Sequence, residues 1–178
     1  MVGEIVNDQS SVCAIKMEKN RIMQPSTKTR IILLDDIDSI RDTFAKLLTI
    51  HGYEVFSFSN PTICPLQIEP ECRCNKNQTC TDIIISDLDM PSMTGLKFIE
   101  NQRKKNCKCQ HVALMSGLWT EEKLSHAHEL GCKIFMKPVS AKDILKWIEE
   151  VEKYINPDRE LCGWFEETPL KVDEYKLA

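Results

Sequence analysis

Four apolar runs in this chain each end in a side chain suited to phosphate or metal chemistry. Ile31-Ile-Leu-Leu leads into Asp35 and Asp36, and Asp82-Ile-Ile-Ile-Ser leads into Asp87-Leu-Asp89-Met90-Pro91. Val112-Ala-Leu-Met ends in Ser116-Gly117, and Ile134-Phe-Met ends in Lys137-Pro138. A carboxylate can attack phosphorus only where the repulsion between two anions is relieved. Mg²⁺ does this, and it prefers oxygen ligands with several retained waters. Clustered acids without a cation would repel and raise one another's pKa values, so metal dependence follows from the charges. Taken singly, these residues have plainer readings. An Asp at a strand end more often caps a helix or serves a turn, as we read Asp38 and Asp82, and Ser116 or Lys137 alone would be a loop hydroxyl or a solvated charge. The combination, in this order, carries the signal.

The elements that must position these groups alternate between strand and helix. Strand Ile31–Leu34 precedes a helix from about Ile37 to His51, whose Ile37, Ile40, Phe44, Leu47 and Leu48 recur at helical spacing, with Gly52 as the stop. Strands are expected at Glu54–Phe58, Ile83–Ser86, Val112–Met115 and Lys133–Met136. Helices are expected at Leu96–Lys104, Glu121–Leu130 and Ala141–Ile155, the last capped by Ser140. Between Asn60 and Cys80, Pro61, Pro65 and Pro70 argue against a long regular second helix. Continuous apolar strands in βα alternation predict a parallel sheet covered on both faces. In such a sheet, ligands bind outside the carboxyl ends of the strands, where the four polar groups fall.

The composition agrees. A chain of 178 residues with 42% hydrophobic content suits one domain with extensions, and a net charge of −4 gives no general nucleic-acid footprint. No apolar run approaches bilayer length. Asn7, Asp8, Gln9 and Ser10 break any signal-peptide core, so a cytoplasmic location is the expectation. There the nine cysteines should be mostly reduced unless they bind metal.

The acid pair, Asp-x-x-Met-Pro, Ser-Gly and Lys-Pro in this order resemble the receiver domain of two-component response regulators, in a single-domain, chemotaxis-regulator-like form. The resemblance covers roughly residues 29–156, leaving a flexible or loosely docked arm over 1–28, a cysteine-rich insertion over 60–80 and a tail over 157–178. It implies a flavodoxin-like, doubly wound five-stranded parallel α/β sheet of order 2-1-3-4-5, with the second helix replaced by the Cys/Pro-rich segment. It also implies that Asp87 becomes an aspartyl phosphate. Asp36, Asp87 and the backbone carbonyl of Asp89 would bind Mg²⁺, with Asp35 acting through water. Lys137 and Ser116 would hold the phosphoryl oxygens, and Gly117 would leave room for them. The phosphate donor would be a sensor histidine kinase or a histidine phosphotransfer protein. Output would be contact with a downstream protein, without nucleic acid or membrane. Members usually carry an aromatic three residues before the lysine, where this chain has Ile134. Phe135 should face the other way, which favours a different output surface or a phosphate-shuttle role.

The cysteines fall outside that resemblance. Cys72-Arg-Cys74 and Cys107-Lys-Cys109 are paired at Cys-x-Cys spacing, and Cys80 precedes the third strand. The topology brings Cys72, Cys74, Cys80, Cys107 and Cys109, with Cys64 nearby, to the amino ends of strands, opposite Asp87. Zn²⁺ would make them a structural staple, an iron–sulfur cluster would make them redox-active, and free thiols or disulfides formed in purification are the plainer alternative. Cys13, Cys132 and Cys162 look isolated, with Cys132 as core filler.

Two other functions compete with the receiver reading. One is a cysteine-based metal or redox sensor on the same scaffold. The other is a haloacid-dehalogenase-like phosphatase, since Asp87-Leu-Asp89 matches its Asp-x-Asp motif. That motif normally follows the first strand, and here it follows the third. Beyond self-catalysed phosphorylation and dephosphorylation, no enzyme activity is expected.

Overall fold

The structure is a computed structural model and describes residues 28–163. The arm before Lys28 with Cys13, and the tail from Trp164 with Phe165, Leu170 and Tyr175, lie outside the described residues.

Five strands form the sheet: β1 (Arg30–Leu34), β2 (Glu54–Phe58), β4 (Ile83–Asp87), β5 (His111–Ser116) and β6 (Cys132–Met136). They lie in the order β2-β1-β4-β5-β6, and every neighbouring pair is parallel. This is the expected order 2-1-3-4-5 once the short β3 (Gln78–Thr79) is set aside. The central strands alternate their side chains between two cores, as the period of two requires. Ile32, Leu34, Ile84 and Leu114 face one core and Ile31, Leu33, Ile83, Ile85, Ala113 and Met115 the other. Burial of both faces explains why these strands read as unbroken apolar runs.

Helices α1 (Asp38–Ile50) and α5 (Ala141–Glu152) cover the second core through Leu48, Ile144, Ile148 and Val151. On the other face, α3 (Gly95–Lys104) supplies Leu96, Phe98 and Ile99, and α4 (Glu121–Glu129) supplies Ala127. Capping follows the chemistry of the residues. Thr94, Thr120 and Ser140 accept from the backbone N–H three residues on, satisfying a donor that the first turn leaves unpaired. Gly52 ends α1 with a φ of +93°, a conformation open to it because it lacks a Cβ.

The segment after β2 keeps only a 3₁₀ turn at Pro61–Ile63 and a one-turn helix, α2 (Pro65–Ile68), as its prolines foretell. Two details differ from the sequence reading. Helix α5 stops at Glu152 rather than Ile155, the chain turning at Tyr154 and Ile155 through N–H bonds to the Val151 and Glu152 carbonyls. Beyond it, β7 (Glu160–Leu161) pairs in parallel with β3, making a second small sheet from the insertion and the tail. Among the described residues no helix is long and apolar enough to cross a membrane.

Candidate functional site

The four polar groups meet at the carboxyl edge of the sheet. Asp35 and Asp36 follow β1, Asp87 ends β4, Ser116 ends β5 and Lys137 follows β6. Lys137 Nζ stands between two carboxylates, 2.7 Å from Asp87 Oδ1 and 3.1 Å from Asp35 Oδ2. Asp35 is fully buried, and its Oδ1 accepts the Ile37 N–H at the entry to α1. Asp87 Oδ2 accepts the Asp89 N–H at 3.2 Å. Burial works against the Lys137 charge, yet the hydrogen bonds to Asp87 and Asp35 hold its ammonium above the ordinary lysine value.

Beside this pair lies a second, more exposed one. Asp89 receives Lys123 Nζ on Oδ1 and the Ser116 hydroxyl on Oδ2, both at 2.8 Å. Partial desolvation raises the Asp89 pKa, but Lys123 and Ser116 outweigh it and keep the carboxyl below its usual value. The sequence reading did not include Lys123. It sits on the first turn of α4, placed by the Thr120 cap, and nothing in its spacing marks it. Gly95 was also missed. A Cβ there would collide with the Asp87 carbonyl oxygen and stand 2.9 Å from Ser86 Oγ, so only glycine lets α3 approach the end of β4 this closely. Gly117 opens onto free space, with nothing within 4 Å of a Cβ placed on it.

These residues fit a hard dication. Among the described residues, Asp35, Asp36, Asp87 and Asp89 are four carboxylates facing the ammonium groups of Lys137 and Lys123, a formal excess of two negative charges. Asp36 is half-buried, and its carboxylate takes no hydrogen bond or ion pair among the described residues. Oxygen donors in an open arrangement suit Mg²⁺, which keeps part of its water shell.

The opposite edge holds the cysteines. The Sγ atoms of Cys72, Cys74 and Cys80 all lie within 4.8 Å of one another, and Cys74 and Cys80 are 2.9 Å apart. Cys162, isolated in sequence, joins them and hydrogen-bonds to both Cys74 and Cys80. Cys107 stands beside Cys72 at the rim of the group. Cys109 lies apart, fully buried, with its thiol directed at the Asp82 and His111 carbonyls. Asp82 proves structural. It is buried and pairs with Arg159 through both oxygens, at 2.5 and 2.6 Å, which ties the chain after α5 to the sheet.

Comparison with known proteins adds to this geometry. Residues 31–149 match the response regulator receiver domain family. Among curated proteins, the chain is similar to the 3',5'-cyclic-nucleotide phosphodiesterase regA of Dictyostelium discoideum, with 28% identity over 147 residues. That segment is 81% of this chain, but the chain spans only 18% of the relative's length. Among solved structures, it resembles the chemotaxis protein CheY4 of Vibrio cholerae (TM-score 0.57, 25% identity, 70% of this chain and 98% of that one). It also resembles a response regulator receiver domain protein from Clostridium thermocellum (TM-score 0.57, 26% identity, 71% of this chain and 95% of that one). The receiver domain of Francisella response regulator 1452 shares the fold at TM-score 0.59 and 19% identity, over 74% of this chain and 98% of that one.

Proposed function

Because the chain belongs to the response regulator receiver domain family, a membership that implies phosphoacceptor signalling, we propose that Asp87 is its phosphoacceptor. The donor is a sensor histidine kinase or a histidine phosphotransfer protein. The observation that carries this reading is the Lys137 ammonium shared between Asp87 and Asp35 at the carboxyl edge.

A carboxylate oxygen of Asp87 attacks the phosphorus of a phosphohistidine. An O–P bond forms, the N–P bond breaks, and the electron pair leaves with the imidazole, which takes a proton. Lys137 holds the Asp87 carboxylate in place and then pairs with the incoming phosphoryl oxygens. The Ser116 hydroxyl, held by Asp89 before transfer, turns to a phosphoryl oxygen. Asp36, Asp87 and the Asp89 carbonyl would hold Mg²⁺, with Asp35 acting through water. When bound, Mg²⁺ supplies the charge neutralisation that lets two anions approach. Gly117 leaves the space beside Ser116 that the phosphoryl group fills.

Output passes through protein contact on the face formed by α4, β6 and α5, and the protein works in the cytoplasm. Ile134 packs into the core shared with α3 and α4, whereas Phe135 packs on α5 with its ring edge-on to Trp147 at 5.9 Å. Trp119, three residues after Ser116, donates its indole N–H to the Phe135 carbonyl at 3.2 Å. The phosphatase alternative is set aside, because Asp87-Leu-Asp89 follows β4 in a receiver sheet rather than β1.

The test is intact mass after incubation with acetyl phosphate and Mg²⁺. A gain of one phosphoryl group is expected, absent without Mg²⁺ and absent in Asp87→Ala. Labelling that persists in Asp87→Ala would remove the assignment.

A further inference from the structure

We propose that Cys72, Cys74, Cys80 and Cys162 bind one Zn²⁺ ion as four thiolates, clamping the insertion to the segment that follows α5. Three of these sulfurs already lie within 4.8 Å of one another. A tetrahedral site with Zn–S bonds of about 2.3 Å has sulfur–sulfur edges of about 3.8 Å. The 2.9 Å between Cys74 and Cys80 is too long for a disulfide, whose S–S bond is about 2.05 Å, and short of a zinc edge, so this pair opens by about an ångström as the ion enters.

Cys162 is the fourth ligand because the fold delivers it there. The β3–β7 pairing sets Leu161 beside Thr79, and the Cys162 N–H donates to the Thr79 carbonyl at 2.9 Å, one residue from Cys80. Its thiol reaches two of the three clustered cysteines, whereas Cys107 reaches only Cys72. A small cavity of about 10 Å³ lies beside the cluster, lined by Cys72, Cys80 and Cys107 among others.

The surroundings also suit the charge. Four thiolates around Zn²⁺ carry a net charge of −2. Arg30, only 2% exposed, donates through Nη1 to the carbonyls of both Cys80 and Cys162, at 3.3 and 2.7 Å. Its guanidinium also pairs with Glu54, so it contributes a shared rather than a full countercharge. Outer groups that fix the ligands' backbone in this way orient a metal site. On binding, four S–H bonds break, four S–Zn bonds form and the protons pass to solvent, with no change of oxidation state. The ion ties Cys72–Cys80 to a residue beyond α5, and so takes over the positioning that a long second helix would provide.

The test uses the full chain, purified under reducing conditions with zinc sulfate, and asks for metal content by elemental mass spectrometry and coordination by X-ray absorption. One zinc per chain with an all-sulfur shell is expected. Cys162→Ser and Cys80→Ser should lose most of the metal, while Cys107→Ser, Cys109→Ser and Asp87→Asn keep it. The absorption measurement on the unaltered chain stands even if a variant fails to fold. The proposal is overturned by a zinc-free chain whose cysteines all react with alkylating agent, by iron in place of zinc, by a disulfide in the reduced preparation, or by full zinc retention in Cys162→Ser. Asp87→Asn separates this site from the phosphoacceptor, since either can fail without the other.

Discussion

Replacing Lys137 by Met removes the cation held between the buried acids Asp35 and Asp87. At an effective dielectric constant of about 20, the separations of 2.7 and 3.1 Å correspond to gross attractions of about 6 and about 5 kcal/mol. Desolvation offsets much of this, because the lysine side chain is 22% exposed and those of Asp35 and Asp87 only 0% and 8%. Removing one member of a buried pair typically costs about 3–5 kcal/mol, since it strands the other. Here the stranded carboxylates keep the Ile37 and Asp89 N–H donors, which places the expected loss near the lower end, about 3 kcal/mol. The assay is urea unfolding at pH 7 in EDTA and again in excess Mg²⁺. In EDTA the variant should lose about 3 kcal/mol, and in Mg²⁺ the gap should narrow, because the emptier, more negative site binds the dication more tightly and ligand binding stabilises by mass action. The Lys137 pKa is raised in the folded state, so its contribution is complete below the unfolded value near 10.4 and is lost as pH rises through the folded value. The loss should therefore be the same at pH 7 and pH 9. Equal losses with and without Mg²⁺, or a loss in EDTA under about 1 kcal/mol, would refute the reasoning.

Three further outcomes are expected. Gly95→Ala must push the new methyl group into the Asp87 carbonyl; a loss of about 1–3 kcal/mol in thermal unfolding, with slower labelling by acetyl phosphate, is expected, and unchanged values in both would show that α3 yields freely. Arg159→Ala leaves Asp82 buried without its bidentate partner and should cost about 3–5 kcal/mol in urea unfolding, while Asp82→Asn combined with Arg159→Met should recover part of that; a recovery of nothing would assign the loss to packing. Lys123→Ala should let the Asp89 pKa rise back toward its ordinary value of 3.8, followed by carbon-13 NMR titration of the carboxyl. In the unaltered protein the Asp89 contribution is present above pH 3.8 and fades below it, so an unmoved titration in the variant would mean that Ser116 and Lys137 hold the carboxyl down without Lys123.

The sequence alone determined the sheet and its carboxyl edge. Apolar runs of strand length alternate with helical spacing, and in a parallel sheet every strand must end on the same side, so Asp35, Asp87, Ser116 and Lys137 had to converge there. The prolines that shorten α2 were equally legible, since a missing N–H and a ring clash act locally whatever the tertiary context. Tertiary structure decided the rest. Lys123 reaches Asp89 across 34 residues, Arg159 reaches Asp82 across 77, and Cys162 meets Cys80 only because β7 pairs with β3. No periodicity marks these residues. Their partners are set by where a short irregular segment returns to the sheet, and that path is fixed by long-range pairing and packing rather than by the conformational preferences of the residues themselves.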